Sequence, residues 1–569
     1  MNFPPVFVLL TAVVLWPLLC SRTRAILLVG APLVVLLQIP FLREGTEWTV
    51  PFLLYEVSPF VVDPLRLTFG FAFALVTVVA AVYAYHHKDP REQAAGLLYA
   101  AGAQGVVFAG DLLSLVIFWE LMAVASTFIV WRGGRSDSAA VGFRYLMLHL
   151  LGGSLLLGGI LFHFAESGSL AVEALSGGWT VGKTMMLAGI LVNAGMPPLH
   201  TWIPDAYPKG TVTGSVFLSA FSTKTAVFAL AVLFPGWEVL LYLGIAMTLW
   251  GVYYAVLAND IRLILAYHII SQVGYMVAAI GAGGDLGINA ATAHAFNNLL
   301  YKTLMFMAAG CVLYTVGKTK LTDLGGLAPQ MKVVVLLYLI GGASISGFPL
   351  FNGFVSKAMI LESAKFAGGY SAYYLLVFAA IGTFLSVGIK LPYYTWFYKA
   401  KEPLQVMRPI PKNMLWAMGI LAFFCVAFGF EGLLFPILPF PMEGTFYTTY
   451  NVVEVLQLSL FTFVVFWIFR HGILGKAKIV LDVDWFFRRP APLAKNVFIG
   501  GVNRFFSRSQ EILDEIVAQT CRAARNPFVL LKPHEEDREY SPDRYRSGLG
   551  VSVLLTTLTL VILLFWGYF

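Results

Sequence analysis

The sequence predicts an all-α polytopic membrane protein with about sixteen transmembrane helices and one surface amphipathic helix. Of its 569 residues, 59% are hydrophobic and only 12% are charged, whereas soluble domains carry about a quarter charged residues. Runs of about twenty apolar residues, each long enough to cross a bilayer as a helix, recur along the chain. One pair of runs is interrupted by glycine and proline close to a lysine, which suggests an ion pathway.

The apolar runs define the candidate spans in order. A polar loop with Glu44, Glu47 and Glu56 follows the second run, and the interruption joins the seventh to the eighth. The sixteen runs are residues 3–20, 25–43, 63–85, 93–110, 111–131, 139–165, 184–204, 211–235, 239–258, 262–282, 288–315, 332–361, 371–398, 413–437, 451–471 and 547–567.

Basic residues between the runs predict the orientation. If the spans are as given above, the basic residues all lie on one side of the membrane. The positive-inside rule makes that side cytoplasmic, which puts the N-terminus outside. They account for the net charge of +7 without a nucleic-acid partner, so we expect a multi-pass protein of the inner (plasma) membrane. The residues are Arg22, Arg24, Lys88, Arg91, Arg132, Arg135, Arg262, Lys318, Lys320, Lys399, Lys401, Arg470, Lys476 and Lys478.

The cysteines give no sign of a bound metal or cofactor. Cys20, Cys311, Cys425 and Cys521 are far apart in the sequence and lack the paired spacing of zinc, haem or iron–sulfur sites. We therefore predict no metal, no cofactor and no catalytic centre in this chain. Any redox centre then belongs to a partner.

The stretch Leu191–Leu230 organises the chain. Glycine and two prolines interrupt an apolar run at residues 195–198, and Lys224 lies inside the run that follows. At membrane depth, protein or water must satisfy the carbonyls that such a break frees. The pattern indicates an ion pathway, with a kinked helix as the alternative. Ser344–Ile360 again places glycine and proline before a lysine, Lys357, as in transporters with paired broken helices around a central site.

Four ionisable residues lie inside predicted spans: Glu120, Lys224, Lys302 and Lys357. Each charge near mid-bilayer costs about 2.5 to 3.5 kcal/mol on insertion scales, so these groups should face protein or water. A salt bridge between helices would explain any one of them. Together they predict a proton relay, because a buried lysine gains or loses its proton as a nearby carboxylate changes its position or charge.

Four histidines are further candidates for the proton pathway. His294 lies two turns before Lys302 on roughly the same helix face, and His200 follows the proline break, where a pathway mouth is expected. His268 and His149 are also compatible with core residues whose hydrogen bonds are satisfied.

Residues 492–525 predict the amphipathic helix. Apolar residues from Phe498 to Val517 recur at helical spacing with charged residues between them. A helix of roughly 34 residues extends about 50 Å, long enough to brace several spans or to contact a neighbouring subunit, and a simple interfacial anchor is the alternative. Residues 532–546, rich in charge and proline, predict a solvated linker.

Several motifs together resemble one family of membrane subunits. The chain is similar, over about residues 63–400, to the antiporter-like subunits shared by Mrp-type Na⁺/H⁺ antiporters, respiratory complex I and membrane-bound hydrogenases, above all to MrpD, the D-type member of the Mrp antiporters. The motifs are PLHTWIPDAYP, SVFLSAFSTKTAVF, the WEL that contains Glu120, LAYHIISQVGYM, YKTLMFMAAG and GFVSK.

The resemblance implies two inverted five-helix repeats with broken helices, a half-channel in each and a hydrophilic axis between them. The repeats would occupy residues 93–235 and 236–400. N-terminal helices at 1–92 would precede them, and the remainder would be C-terminal helices at 401–480, a lateral helix and linker at 481–546 and a final helix at 547–569.

The resemblance also implies roles for four residues. Glu120 matches the family's glutamate, Lys224 its central lysine and Lys302 the lysine of the second half. Lys357 matches the lysine or glutamate that follows the second broken helix.

Two positions depart from the family pattern. Asn193 stands where a lysine usually pairs with the glutamate, and Asn298 stands where histidine is common. The first half then carries protons through another pairing, for example with His149, binds Na⁺ or water, or is inactive.

These features predict a proton-translocating subunit of a multisubunit Mrp-type antiporter for Na⁺ and protons, assembled with other membrane subunits. They are also compatible with a proton-pumping subunit of a redox-driven complex, such as an NADH:quinone oxidoreductase or hydrogenase, or of an inorganic-carbon uptake complex. A scaffold that has lost conduction is a further hypothesis, against which the costly intramembrane charges argue.

Overall fold

The computed structural model describes residues 3–52, 55–134, 136–399, 404–473, 481–525 and 546–566. The chain divides into two compact units, Met1–Val483 and Asp484–Phe569. The predicted loop charges Arg135, Lys401, Lys476 and Lys478, and most of the predicted linker, lie outside the described residues.

The first unit is a helical bundle in which aspartates fix several helix starts. Asp63, Asp89, Asp111 and Asp260 each precede a helix and accept hydrogen bonds from N–H groups of its first turn, as N-cap residues do. The first ten helices are α1 (Pro5–Leu15), α2 (Ser21–Gln38), α3 (Pro64–Ala84), α4 (Pro90–Phe108), α5 (Leu112–Trp131), α6 (Ser138–Ser167), α7 (Val181–Ala194), α8 (Trp202–Ala206), α9 (Gly214–Ala220) and α10 (Ser222–Leu233).

The remaining helices of this unit are longer on average. α15 kinks at Gly369 and continues through π-helical turns at Phe384–Lys390 and Tyr393–Phe397. The helices are α11 (Glu238–Leu257), α12 (Ile261–Ala282), α13 (Gly284–Val316), α14 (Lys332–Ser346), α15 (Asn352–Thr383), α16 (Lys412–Ala427), α17 (Glu431–Leu434) and α18 (Thr449–Ile473).

A β-hairpin occupies part of the connection predicted as a polar loop. Strand β1 (Glu47–Phe52) pairs antiparallel with β2 (Tyr55–Val61). Trp48 and Phe60 pack edge to face with ring centroids 6.0 Å apart, and Phe60 is buried. Aromatic and β-branched residues interleave with the glutamates in this segment and favour strands, which explains the difference from the prediction.

Both predicted interruptions are present, and both begin with the same glycine cap. α7 and α14 are followed by Gly195 and Gly347, whose φ angles of 80° and 75° lie in the left-handed region that favours glycine. The first break begins at the predicted glycine, because α7 ends at Ala194, although the candidate span 184–204 continues past it. A further interruption at Phe221, between α9 and α10, is not predicted from the sequence.

The helical membrane class is confirmed, whereas the count of sixteen spans is not. Among the described residues, eleven helices are long and apolar enough to cross a membrane, or twelve if the bent pair Lys412–Ala427 and Glu431–Ile437 is one span. Pro5–Leu18, α7 and α14 are apolar but shorter, since proline or glycine ends them. Asn352–Phe397 forms one continuous stretch where two spans are predicted.

The loops that carry basic residues contact one another and share one end of the bundle, here called the basic face. Loops at the other end, here called the opposite face, are joined in the same way, for example by backbone hydrogen bonds from Gly110 to Ser58 and from Leu175 to Leu233. The contacts at the basic face are Trp16 with Pro90, Arg132 with Asp89, Lys209 with Asp137, Arg262 with Gly210 and Ala328 with Trp396.

The second unit contains the predicted amphipathic helix in a shorter form. α21 (Gly500–Arg525) has 26 residues with apolar and charged side chains on different faces, a length of about 39 Å. α19 (Asp484–Arg488), α20 (Ala491–Ala494) and a π-helical turn at Lys495–Ile499 precede it, and α22 (Leu549–Trp566) follows. Its position along the membrane surface stays a prediction.

Replacing Gly195 by alanine should destabilise the first break. A side chain at this φ costs roughly 1–2 kcal/mol, and an added Cβ would lie 2.5 Å from Ile203 Cδ1. We expect a lower thermal unfolding midpoint for Gly195→Ala in detergent. The control is Gly419→Ala within α16, where a Cβ meets nothing within 4 Å; equal midpoints for the two variants would contradict the assigned backbone strain.

Candidate functional site

Lys224 lies directly after the interruption between α9 and α10. The side chain is fully buried, and its Nζ donates a hydrogen bond to the carbonyl of Ser219, 3.1 Å away. Ser219 belongs to the last turn of α9, whose carbonyls carry the negative end of the helix dipole. The break thus supplies a partner for a buried ammonium group.

Lys357 repeats this arrangement at the second break. Its Nζ donates to the carbonyl of Ile345 in the last turn of α14 at 2.6 Å, and its aliphatic chain passes Gly347. The ammonium also lies 5.5 Å from the centroid of the Tyr275 ring, within range of a cation–π interaction. Both lysines predicted at broken helices are therefore bonded to half-helix carbonyls.

Lys302 of α13 has no such partner. It is fully buried, and its Nζ makes no hydrogen bond to any described residue. Lys224 and Lys357 both lie close enough to act on it electrostatically. None of the three lysines forms an ion pair with a carboxylate in the described parts of the chain, and Lys224, Lys302 and Lys357 are here called the lysine row.

A polar network joins this row to His294. The His294 ring contacts Ser356 Oγ at 3.0 Å through Nδ1 and Gln272 Oε1 at 3.2 Å through Nε2. Tyr301 OH lies 3.3 Å from the same Nε2 and accepts a hydrogen bond from Asn298. Since Ser356 precedes Lys357 and Tyr301 precedes Lys302, the network connects the neighbourhoods of two lysines.

His268 contacts the π-helical continuation of α15. Its Nε2 lies 2.6 Å from Ser386 Oγ, while Nδ1 is buried without a partner in the described chain. Four residues beyond Ser386, Lys390 donates to the carbonyls of Val256 and Ala258 at the end of α11. Lys390 is a fourth buried lysine that the sequence analysis missed, although its charge within a predicted span was a usable signal.

Glu120 is separate from the lysine row. It is half-buried on α5, and its carboxylate lies against α6, where a Cβ added at Gly153 would be 1.5 Å from Oε1. Asn193 Oδ1 reaches the adjacent Gly152 of α6 and has no hydrogen-bond partner among described residues. Glu120 and Asn193 therefore both pack against the Gly152–Gly153 pair of α6. Glu120 has no hydrogen bond or ion pair in the described chain.

His149 lies one helical turn before Gly153 on α6, on the side where Glu120 packs. Its ring packs at a tilt against Tyr145 and edge to face against Trp202, with centroid distances of 4.2 and 4.6 Å. Its Nε2 is buried with no described partner. His149 and Glu120 thus share the Gly153 side of α6, and no hydrogen bond joins them in the described chain.

His200 lies inside the first break, and its role at a pathway mouth stays a prediction. It is fully buried, and its Nε2 is 3.0 Å from Asp482 Oδ2 and 3.2 Å from Trp250 Nε1. Asp482 follows α18 by nine residues of sequence and lies in a region with no apolar run. Sequence reasoning gave no signal for it.

A cavity of about 430 Å³ extends from Lys357 toward the opposite face. Polar groups line it, including Glu362, Lys365 and Glu454, which accepts a hydrogen bond from Tyr373 at 2.7 Å. Gly369 has a non-helical backbone between the two parts of α15 that line it. One buried lysine therefore lies beside a partly open polar cavity.

Many known proteins are similar in sequence to this chain. Residues 109–386 match the family described as NADH:quinone oxidoreductase/Mrp antiporter, TM. An uncharacterized protein of Methanocaldococcus jannaschii is 30% identical over 354 residues, covering 58% of this chain and 73% of that protein. NADH-quinone oxidoreductase subunit N of Desulforudis audaxviator is 28% identical over 418 residues, covering 67% of this chain and 82% of that protein.

Relatives also include the A and D subunits of the Na⁺/H⁺ antiporter of Alkalihalophilus pseudofirmus, of which this chain spans only 54% and 57%. The fold resembles a chain of the Mrp complex from Dietzia sp. DQ12-45-1b, with a TM-score of 0.69 and 23% identity, covering 82% of this chain and 98% of that one. The relatives are subunits of multisubunit membrane complexes of both antiporter and oxidoreductase kinds, so the similarity is not specific to MrpD.

Replacing Lys302 by methionine should stabilise the protein. Methionine has a similar length and leaves no amine to bury without a partner, and even an unpaired neutral polar group costs about 1–3 kcal/mol in mutational data. We expect a higher thermal midpoint for Lys302→Met and no change for Lys332→Met, which alters an exposed lysine at the start of α14. A lower midpoint for Lys302→Met would show that its ammonium has a strong partner.

Proposed function

Because this chain belongs to the NADH:quinone oxidoreductase/Mrp antiporter family of membrane subunits, we propose that it translocates protons within a multisubunit Mrp-type Na⁺/H⁺ antiporter. Its partners would be other membrane subunits, and its ions protons and Na⁺. The chain itself would hold no catalytic centre.

The observation that carries this proposal is the row of buried lysines without counter-ions. Lys224, Lys302 and Lys357 are each buried, and none is ion-paired in the described chain. Ser271 Oγ, Gln272 Nε2 and Asn298 Oδ1 in the same interior also lack partners there. Buried polar atoms that protein leaves unbonded normally bind water, and water between titratable groups provides a proton path.

The three lysines would have different roles. Half-helix carbonyls stabilise the protonated forms of Lys224 and Lys357, which suits them to hold a proton at each break. Lys302 has no hydrogen bond to such a carbonyl, so it would hold a proton only transiently. His294, bonded to Ser356 and Gln272, would relay protons between Lys302 and Lys357, with His268 beside the same axis.

Exit would proceed through the cavity at Lys357 to the opposite face. We assign the basic face to the cytoplasm by the positive-inside rule, which puts the N-terminus outside and the cavity on the outer side of a plasma membrane. The inverted repeats would occupy 93–235 and 236–400. In the first repeat, Glu120 would exchange protons through His149 and His200 in place of the lysine that Asn193 replaces.

A second candidate function is proton pumping in a redox-driven complex. The similarity to NADH-quinone oxidoreductase subunit N, over 67% of this chain, supports it as directly as the similarity to antiporter subunits. The lysine row would transfer protons in either case, whether a Na⁺ gradient or a redox reaction supplies the energy. Proton movement in the purified complex driven by an imposed Na⁺ gradient favours the antiporter, and movement that requires an electron donor and a quinone favours the redox complex.

Replacing Lys224 by alanine should reduce proton flux at least tenfold, because the relay loses its proton-binding group at the interruption between α9 and α10. The measurement is the fluorescence of a pH-sensitive dye inside proteoliposomes that contain the whole complex. Lys332→Ala, at an exposed lysine outside the row, is the matched control. Undiminished flux in an assembled Lys224→Ala complex would refute the relay.

A further inference from the structure

The segment after α18 places a carboxylate against the first broken helix. Asp482 is only 7% exposed. Its Oδ2 accepts a hydrogen bond from Tyr267 OH at 2.7 Å and lies 3.0 Å from His200 Nε2. Tyr254 donates to the carbonyl of Leu481 at 3.1 Å. Contacts from α11, from α12 and from the break therefore fix the position of this carboxylate.

The pair of Asp482 and His200 lies in the half of the bundle nearer the basic face. Tyr254 belongs to the last turn of α11, and Tyr267 is in the second turn of α12, about 9 Å along the helix from its start. α11 ends and α12 begins at the basic face. A proton that reaches this pair from the basic-face solvent therefore has only a short distance to cross.

Two polar groups, Asp482 Oδ2 and Trp250 Nε1, converge on His200 Nε2, which limits the protonation states of the pair. Trp250 Nε1 is a donor only and lies 3.2 Å from His200 Nε2. With Asp482 ionised, Nε2 must carry a proton toward Oδ2, and the indole then finds no acceptor there. With Asp482 protonated, Oδ2 donates and Nε2 can accept. Each of these two protonation states satisfies only some of the hydrogen-bonding groups, so the surroundings fix neither state.

His200 Nδ1 supplies the site where a proton enters or leaves the pair. This nitrogen is buried and has no hydrogen-bond partner in the described chain. When a proton binds at Nδ1 and the Nε2 proton moves to Asp482 Oδ2, the charge of the pair changes from −1 to 0. The reverse transfers release one proton, so the step balances with no other reactant.

The surroundings of Asp482 favour the ionised carboxylate in the structure described. Burial alone would raise its pKa, but the hydrogen bond with His200, together with that from Tyr267, keeps the pKa of Asp482 below its ordinary value. His200 and Tyr267 are the titratable groups bonded to it, and α11 contributes the indole of Trp250. The carboxylate is therefore ionised, and the pair is in its proton-free state, in the structure described.

We propose that Asp482 and His200 form a proton-uptake site on the basic-face side of the first half, with Asp482 as a further proton-binding residue of the pathway. This inference rests on the proposed function. It explains how a first half with Asn193 and an unpaired Glu120 still contains a carboxylate–base pair. The carboxylate comes from a segment outside both proposed repeats.

The test compares variants in the assembled complex reconstituted in proteoliposomes. Asp482→Asn keeps the shape and an acceptor for Tyr267 but cannot bind a proton, and we expect at least a tenfold loss of proton flux together with loss of the pH dependence set from the basic-face side. Asp482→Glu should retain most of the flux. Tyr267→Phe removes one hydrogen bond but leaves the acid–base pair, and it should keep the wild-type pH profile.

The outcomes separate this inference from the proposed function. Wild-type flux and pH profile in Asp482→Asn would overturn the uptake site while leaving the relay intact. Equal losses in Asp482→Asn, Asp482→Glu and Tyr267→Phe, with an unchanged pH profile, would also overturn it, since the residue would then only brace the fold. A wild-type complex that moves no protons would refute the proposed function itself.

Discussion

The structure depends on the stabilisation of buried ammonium groups by the carbonyl ends of interrupted helices. A lone lysine charge in hydrocarbon is costly, and in this chain Lys224 and Lys357 are bonded to last-turn carbonyls of α9 and α14. An uninterrupted helix has no free carbonyls at that depth. The interruption at Phe221 and the second break at Gly347 therefore each supply a carbonyl that a buried lysine uses.

The two halves of the bundle surround their buried ionisable residues in different ways. In the second half, His294 contacts Ser356 and Tyr301, the residues that precede Lys357 and Lys302, and a cavity lies beside Lys357. In the first half, Glu120 packs against Gly153 and has no described ion partner. The acid–base pair in that half, His200 with Asp482, uses a carboxylate from beyond α18. The half that contains Asn193 thus takes its acid–base carboxylate from a segment outside the predicted repeats.

The sequence predicts the helical class, the two glycine–proline breaks and the buried lysines, because apolar length and intramembrane charge are local signals. It does not predict the break at Phe221, which lacks glycine and proline, or the hairpin, where aromatic residues outweigh the glutamates. Lys390 carried a signal that was overlooked. Asp482 carried none, since its proximity to His200 arises from tertiary packing across 282 positions of sequence.

The central claim is that the lysine row lies in a hydrated interior without counter-ions. A high-resolution cryo-EM map of the complete complex in lipid nanodiscs tests it most directly. The account predicts ordered water within hydrogen-bond distance of Lys302 Nζ, continuing toward Lys224 and Lys357. A dry, close-packed environment around Lys302, or a carboxylate of any subunit bonded to its ammonium group, would contradict it.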